Sequence, residues 1–220
     1  MCKIFYMRKD QSATSSRTRL ITAVTELLDA GADSDRVTVT DIVTAAGLTR
    51  PTFYASFDDL PTAYAAAALA RLDAAFVGLG VDPEVAAESR SERMRVAFES
   101  ILGRLVVHAD FFARVMRGPG GPIVHERIVD FLAARIRESS PVSHALARGP
   151  LPLEMSSTAI AGGVVWTMKR WMDDDARLAV ANLAVLLRDY VEASVFGGLG
   201  RPLEVHGNDK QTLDMNGAQS

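Results

Sequence analysis

Apolar residues recur every three or four positions along most of this 220-residue chain, as they do at Leu20, Val24, Leu27 and Leu28. That spacing collects them on one face of an α-helix, whereas a half-buried strand needs strict alternation of apolar and polar residues. Alternation with β-branched residues is confined to Val37 to Thr40. The sequence therefore predicts an all-α fold.

The short alternating stretch is itself better explained as the start of a helix. Thr38 can cap a helix with its hydroxyl, and Asp41, three residues later, can complete an acidic version of the capping box. Gly47 stands where the chain must turn sharply. A short helix is therefore predicted from Val39 to Ala46.

Proline, glycine and acidic residues indicate where helices begin and end in the rest of the chain. Thr49 is the expected N-cap of a helix with Pro51 in its first turn, where a missing N–H costs nothing. Asp58 and Asp59 precede the next helix as caps. The run Asp173 to Asp175 could bind a cation, but capping of the last helix is the simpler interpretation. We expect helices over about residues 17–30, 39–46, 50–57, 60–77, 90–108, 110–117, 123–138, 156–172 and 173–196.

The composition limits the classes of protein to consider. Hydrophobic residues make up 48% of the chain, which is enough for a sizeable core. The formal net charge of -3 gives no overall attraction to nucleic acid, so any DNA contact must come from local placement. Cys2 is the single cysteine, which excludes an internal disulfide and fits a cytoplasmic location. No apolar run reaches the roughly 18 residues of a membrane-spanning helix.

Two short helices joined by a glycine turn form the helix-turn-helix pattern. In that motif the first helix crosses the DNA backbone, and the N-terminal residues of the second helix enter the major groove. Phe53 and Phe57 are four residues apart and share a face, so we expect them in the core, not stacked on bases or lining a substrate pocket. Arg50, Thr52 and Tyr54 point elsewhere, and the Tyr54 hydroxyl can reach a phosphate.

The pattern extends over residues 18 to 64, which read I-x-A-V-x-E-L-L-x-x-G and then T-V-x-D-I-x-x-A-A-G-L-T-R-P-T-F-Y-x-x-F. In order and spacing these segments resemble the tetracycline-repressor (TetR) family of DNA-binding regulators. The resemblance implies an N-terminal three-helix helix-turn-helix domain joined by a connecting helix to a C-terminal helical domain for ligand binding and dimerisation. The segment G-G-V-V-W-T-M-K-R-W-M and the helix after it are similar to the pair that forms the four-helix bundle of a homodimer.

By position, the resemblance implies DNA contacts from Thr38, Thr40, Thr49, Arg50, Pro51, Thr52 and Tyr54, with Arg19 adding nonspecific attraction. Hydroxyls and helix N-termini donate to phosphate oxygens, and arginine can bridge O6 and N7 of guanine. The family usually has a lysine where this chain has Leu60, preceded by Asp58 and Asp59. Residues 1 to 60 carry seven Lys or Arg against eight Asp or Glu, a net charge of -1. We expect weak nonspecific affinity and a shallow salt dependence.

The second half of the chain holds both tryptophans and most of the methionines. Mobile methionines and aromatic rings suit a cavity for an apolar ligand. The candidate ligand-binding residues are Phe98, Leu102, Leu105, Phe112, Met116, Phe131, Trp166 and Met168. No catalytic constellation or cofactor motif is recognised. Metal binding is not expected either, because neither His108 with Asp110 nor His125 with Glu126 has the i, i+4 spacing of a zinc helix.

These observations predict four segments: a flexible leader over residues 1–16, a DNA-binding domain over 17–60, an effector-binding and dimerisation domain over 61–200, and a disordered tail over 201–220. The expected function is a cytoplasmic, non-enzymatic transcriptional regulator. Its partners are expected to be a double-stranded, palindromic operator, a second copy of the chain through the last two helices, and a small, largely apolar effector that releases a repressor from DNA. An activator remains open, and so does an all-helical small-molecule carrier or enzyme that does not use its DNA-binding module.

Overall fold

The computed structural model describes the backbone of residues 2–79, 87–118, 120–139, 142–174 and 177–199, and the side chains in these ranges except at 2–13, 87–89, 139 and 198–199. All the regular elements in these ranges are helical, which confirms the all-α prediction. Among the described residues, no helix combines the length and the apolar character that crossing a bilayer requires. The predicted disordered tail, residues 201–220, lies outside the described residues.

The described helices are ten α-helices followed by a π-helical turn. They are α1 (Cys2–Asp29), α2 (Val39–Ala46), α3 (Arg50–Tyr54), α4 (Leu60–Phe76), α5 (Ala87–Val106), α6 (Ala109–Arg117), α7 (Gly121–Ser139), α8 (Ser143–Leu146), α9 (Leu153–Met172), α10 (Val180–Ser194) and the π-helical turn Val195–Leu199.

Several helix boundaries differ from those predicted: α3 ends at Tyr54 and not near residue 57, α9 begins at Leu153 and not near residue 156, and the short α8 was not predicted. Two helix starts differ most. Helix α1 begins at Cys2, not near residue 17, because residues 2–16 contain neither glycine nor proline to interrupt it. Helix α10 begins at Val180, so the prediction that Asp173 to Asp175 cap the last helix was wrong. Asp173 is instead the C-cap of α9. Its backbone N–H donates to the carbonyl oxygens of Lys169 and Trp171.

Helix α4 connects the two halves of the molecule. It packs on α1 and on α5, α6 and α7. Alanines make this close approach possible, and Ala63, Ala67 and Ala68 are fully buried. Helix α7 also packs on α9, while α10 packs mainly on α5. A displacement at the C-terminal helices can therefore reach the first three helices through α4.

A set of polar contacts, which we call the joint, ties the N-terminal helices to α6. Ser34, in the loop before α2, donates its hydroxyl hydrogen to the carbonyl oxygen of Arg114 at 2.8 Å. The hydroxyl of Tyr64 donates to the carbonyl oxygen of Ser34, also at 2.8 Å. Two turns further along α4, Arg71 forms an ion pair with Asp29 of α1 and lies 4.1 Å from the ring centroid of Phe111. The joint therefore joins α1, α4 and α6.

Candidate nucleic-acid interface and ligand cleft

Helix α2 begins with the predicted capping box, which the structure confirms. The backbone N–H of Thr38 donates to Oδ2 of Asp41 at 2.8 Å, and the N–H of Asp41 donates to Oγ1 of Thr38 at 3.3 Å. The Thr38 hydroxyl also bonds to Asp41, and this hydrogen bond is the main cause of a lowered pKa of that carboxyl. The first turn of α2 is thereby fixed, with Thr40 exposed beside the cap.

The turn between α2 and α3 depends on Gly47, which has a φ of 60° in the left-handed region. The guanidinium of Arg19 on α1 donates to the carbonyl oxygens of Ala46 at 2.5 Å and of Gly47 at 3.3 Å. A cation at a helix C-terminus is favourable because it meets unpaired carbonyls and the negative end of the helix dipole. Arg19 thus closes the end of α2, and its contact with DNA stays a prediction.

The aromatic residues of α3 and of the turn after it differ in exposure, as predicted. Phe53 and Phe57 are buried, with ring centroids 5.6 Å apart, which confirms that they are core residues. Arg17 of α1 lies 4.4 Å from the ring centroid of Phe57 and donates to the carbonyl oxygen of Ser56 at 2.8 Å. Tyr54 points the other way and is 52% exposed. One side of helix α3 is therefore held against the core, and the opposite side is exposed to solvent.

The exposed face of α2 and α3 contains the residues predicted to contact DNA. Thr38, Thr40, Thr49, Arg50, Pro51 and Tyr54 are all exposed, and Thr52 is half-buried. The Arg50 guanidinium lies 3.5 Å from Oγ1 of Thr40, so the starts of the two helices are adjacent. Thr49 occupies the N-cap position of α3, but its hydroxyl pairs with that of Thr52 at 2.9 Å and makes no capping bond. The expected hydroxyl cap at Thr49 was therefore wrong.

The acidic residues before α4 have different roles. Asp59 is the N-cap and accepts hydrogen bonds from the backbone N–H and the hydroxyl of Thr62, at 2.8 and 2.6 Å. Asp58 is exposed and forms no part of this cap. Leu60 is half-buried against the core. Residue 60, where the resemblance leads one to expect lysine, thus packs on the core, and Asp59 is held in the helix cap.

A small apolar cleft of about 20 Å³ lies among α4, α5, α6, α7 and α9. Its walls consist entirely of apolar side chains: Leu72, Leu105, Phe112, Met116, Ile128, Leu132, Val165, Met168 and Met172. A second, charged cleft of about 10 Å³ adjoins it, since Phe112, Met116 and Met172 line both. The charged cleft adds Arg117, Lys169 and Asp173, which form an ion-pair network.

The predicted ligand residues fall into two groups. Leu105, Phe112, Met116 and Met168 line the apolar cleft. The other four lie away from it: Leu102 is fully buried, Phe98 and Phe131 are half-buried, and Trp166 is 56% exposed on the outer side of α9. Helical spacing would have found several of the missed residues, because Val165, Met168 and Met172 share one face of α9. Arg117, Lys169 and Asp173 gave no such signal, since each is an ordinary surface residue in sequence.

His108 and His125, whose spacing to acidic residues does not fit a zinc helix, line neither cleft. His108 precedes α6, and burial is the main cause of its lowered pKa, with the nearby charge of Arg71 next. Nε2 of His125 is buried without a hydrogen-bond partner. In the described part of the chain, no three His, Cys, Asp or Glu side chains are grouped so that they could hold a metal ion.

Comparison with known proteins supports the fold. The crystal structure of RolR without ligand matches with a TM-score of 0.54 at 21% sequence identity, covering 84% of this chain and 97% of RolR. No protein-family model matches the sequence, and a search of curated proteins finds no match. At this identity the likeness establishes a shared fold: this chain has the helical architecture of RolR over most of its length.

Proposed function

We propose that this protein is a ligand-responsive transcriptional regulator of the TetR type, most simply a repressor that binds a palindromic operator as a homodimer and is released by a small effector. The observation that carries the proposal is the exposed face of α2 and α3. There Thr40, Arg50 and Tyr54 stand on a helix pair whose opposite side is anchored by buried Phe53 and Phe57.

The chemistry of this face suits DNA. Arg50 stands at the start of α3, where a side chain can enter the major groove and bridge two acceptors of guanine. Pro51 and the Thr52 methyl suit contact with a thymine methyl, and Tyr54 suits a phosphate oxygen. The hydrogen of the Thr38 hydroxyl is directed at Asp41, so we assign the phosphate contact at the start of α2 chiefly to Thr40.

The proposed dimer uses the exposed faces of α9 and α10. Met155, Ala159, Gly162 and Trp166 follow one another at four-, three- and four-residue spacing along α9, all at least partly exposed. Leu186 and Tyr190 are four residues apart and exposed on α10. Helix pairs with such apolar stripes pack into four-helix bundles. A dimer would also supply the second recognition helix, which must lie roughly 34 to 36 Å from the first for the pair to reach successive major grooves.

Communication between the clefts and DNA would run through adjacent residues. Leu72 and Phe112 line the apolar cleft, while their neighbours Arg71 and Phe111 belong to the joint. A ligand that pushes on α4 and α6 from the cleft would therefore move the groups that hold α1 and the loop before α2. The effect on DNA binding is limited by the difference in ligand affinity between the two arrangements.

Selection of binding sites from a random double-stranded DNA library tests the proposal directly. We expect recovery of a palindrome whose half-sites are about one helical turn apart or a multiple of it. Failure to select any sequence, together with retention or turnover of a small molecule, would instead identify a helical carrier or an enzyme.

A further inference from the structure

The effector class can be narrowed from the arrangement of the two clefts. The apolar cleft has no polar side chain on its walls, so a ligand confined to it would be recognised by shape and burial alone. Phe112, Met116 and Met172 form a shared wall, and a ligand longer than the apolar cleft would extend past them toward Arg117, Lys169 and Asp173.

The charged cleft carries an excess of positive charge. Lys169 donates to Oδ2 of Asp173 at 2.7 Å, and Arg117 donates to Oδ1 of the same carboxylate at 3.2 Å. Two cations therefore face one anion, which leaves a charge of +1 for this trio. The same contacts hold the pKa of Asp173 below its usual range, with the hydrogen bond from Lys169 as the largest cause, so the trio keeps this charge near neutral pH.

Lys169 and Arg117 also have more hydrogen-bond donors than Asp173 accepts from. An ammonium group has three hydrogen-bond donors and a guanidinium has five. One bond from each to Asp173 leaves donors on both groups that can meet a second carboxylate. Lys169 is the more enclosed of the two cations, with 29% of its side chain exposed against 69% for Arg117.

We propose that the effector is an amphipathic monocarboxylate whose apolar body fills the apolar cleft and whose carboxylate binds Lys169 and Arg117. The proposal rests on the ligand role given to the clefts above, but it does not depend on DNA binding. The space enclosed by the apolar cleft is about 20 Å³, so the apolar body enters by displacing the flexible side chains of Met116, Met168 and Met172. Octanoate supplies a flexible apolar body and a carboxylate, and 1-octanol is its neutral counterpart.

Calorimetric titration of the full-length protein with octanoate and with 1-octanol provides the test. Hydrogen bonds to charged groups are the stronger ones, so octanoate should bind at least about tenfold more tightly than 1-octanol. Lys169→Met and Arg117→Met should each reduce this preference, and the double variant should abolish it.

A matched control is available in the next residue of α9. Arg170→Met removes the same charge from an exposed side chain that lines neither cleft, so it should leave the preference intact. Circular dichroism would verify that each variant is folded, and these changes alter only exposed or half-exposed side chains.

Equal affinity of the wild-type protein for the two compounds would overturn the proposal, as would the absence of binding by both. A preference that survives in the double variant, or that Arg170→Met also removes, would overturn it as well. If octanoate binds as expected but no DNA sequence is selected, the ligand assignment stands and the proposed regulatory function fails. If a palindrome is selected but no preference is found, only the ligand assignment fails.

Discussion

The hydroxyl of Ser34 donates a hydrogen bond of 2.8 Å to the carbonyl oxygen of Arg114, and so joins the loop before α2 to the last turns of α6. The two residues are 80 positions apart in the chain. Ser34 also accepts, through its own carbonyl oxygen, the hydrogen bond from Tyr64 of α4. This residue is thus the point where the loop, α4 and α6 meet.

Ser34→Ala should lower the free energy of unfolding by about 1 kcal/mol, because it removes one part-buried hydrogen bond. If the joint transmits ligand binding, the variant should also respond less: the ratio of DNA affinities without and with effector should move toward one. Urea denaturation and a mobility-shift titration measure the two effects. Ser100→Ala makes the same chemical change on α5 and should leave the ratio unaltered. An unchanged ratio in Ser34→Ala would remove this bond from the pathway.

Tyr64 should make stability depend on alkaline pH. Burial raises the pKa of Tyr64 to about 12 in the folded protein, above the usual 10. The folded state therefore disfavours loss of this proton, so the contribution is fully present below pH 10 and is lost as the pH rises toward 12. Urea denaturation of the wild type and of Tyr64→Phe should show a difference in stability that shrinks over this range. A constant difference would contradict the raised pKa.

Arg50→Ala should reduce operator affinity by about 1 to 3 kcal/mol if the guanidinium bridges a guanine, and the preference for that base should weaken. Folding and dimerisation should persist, because Arg50 is exposed and its contact with Thr40 is long. Arg36→Ala is the matched control, since the Arg36 side chain is exposed in the loop before α2. Mobility-shift titration on the selected palindrome measures both variants. Equal losses would indicate a general charge effect and no specific base contact.

Leu60→Lys should restore the basic residue that the resemblance leads one to expect. One additional phosphate contact per subunit should steepen the salt dependence of DNA affinity, by about 0.9 in the log–log slope for each phosphate neutralised. Stability should fall somewhat, because Leu60 is half-buried against the core. Leu60→Gln has a similar packing cost without the charge and separates the two effects. A slope that is the same in both variants would place residue 60 away from the DNA backbone.

Trp166→Glu should convert the proposed dimer into a monomer. Trp166 is 56% exposed in the single chain, so a charge there costs little in the monomer but would be buried without a partner in a dimer. Val107→Glu is the control, because Val107 is also exposed but follows α5 and belongs to neither helix of the proposed interface. Sedimentation velocity distinguishes the two species. A dimer that survives Trp166→Glu would require a different interface.

The helix-turn-helix was predictable in detail because its signals are local. The Thr38 and Asp41 capping box, the Gly47 turn and the four-residue spacing of Phe53 and Phe57 all appear where the sequence indicated. The Thr49 cap did not, since its hydroxyl had an equally near alternative in Thr52. Capping rules consider only hydrogen-bond partners within a few residues. They fail where two such partners compete for the same hydroxyl.

The start of the last helix was decided by contacts that local rules do not include. Three consecutive aspartates resemble an N-cap, yet Asp173 is held by Lys169 and by Arg117 of α6. Trp171 donates its indole N–H to the carbonyl oxygen of Leu178 at 2.8 Å, which holds residue 178 against the end of α9, and α10 begins at Val180. Arg117 and Asp173 are 56 positions apart in the chain, so their ion pair depends on how the helices pack, and no sequence pattern predicts it.

The sequence by itself determined the all-helical class, the two helices of the helix-turn-helix and the caps at Thr38 and Asp59, because periodicity and capping depend on residues within one or two turns. The tertiary structure alone decided which apolar residues enclose a cleft, which cations gather beside it, and that Ser34 meets Arg114. Helix packing brings together residues from distant segments, and many pairings satisfy the same apolar pattern. Only the packed arrangement selects one of them.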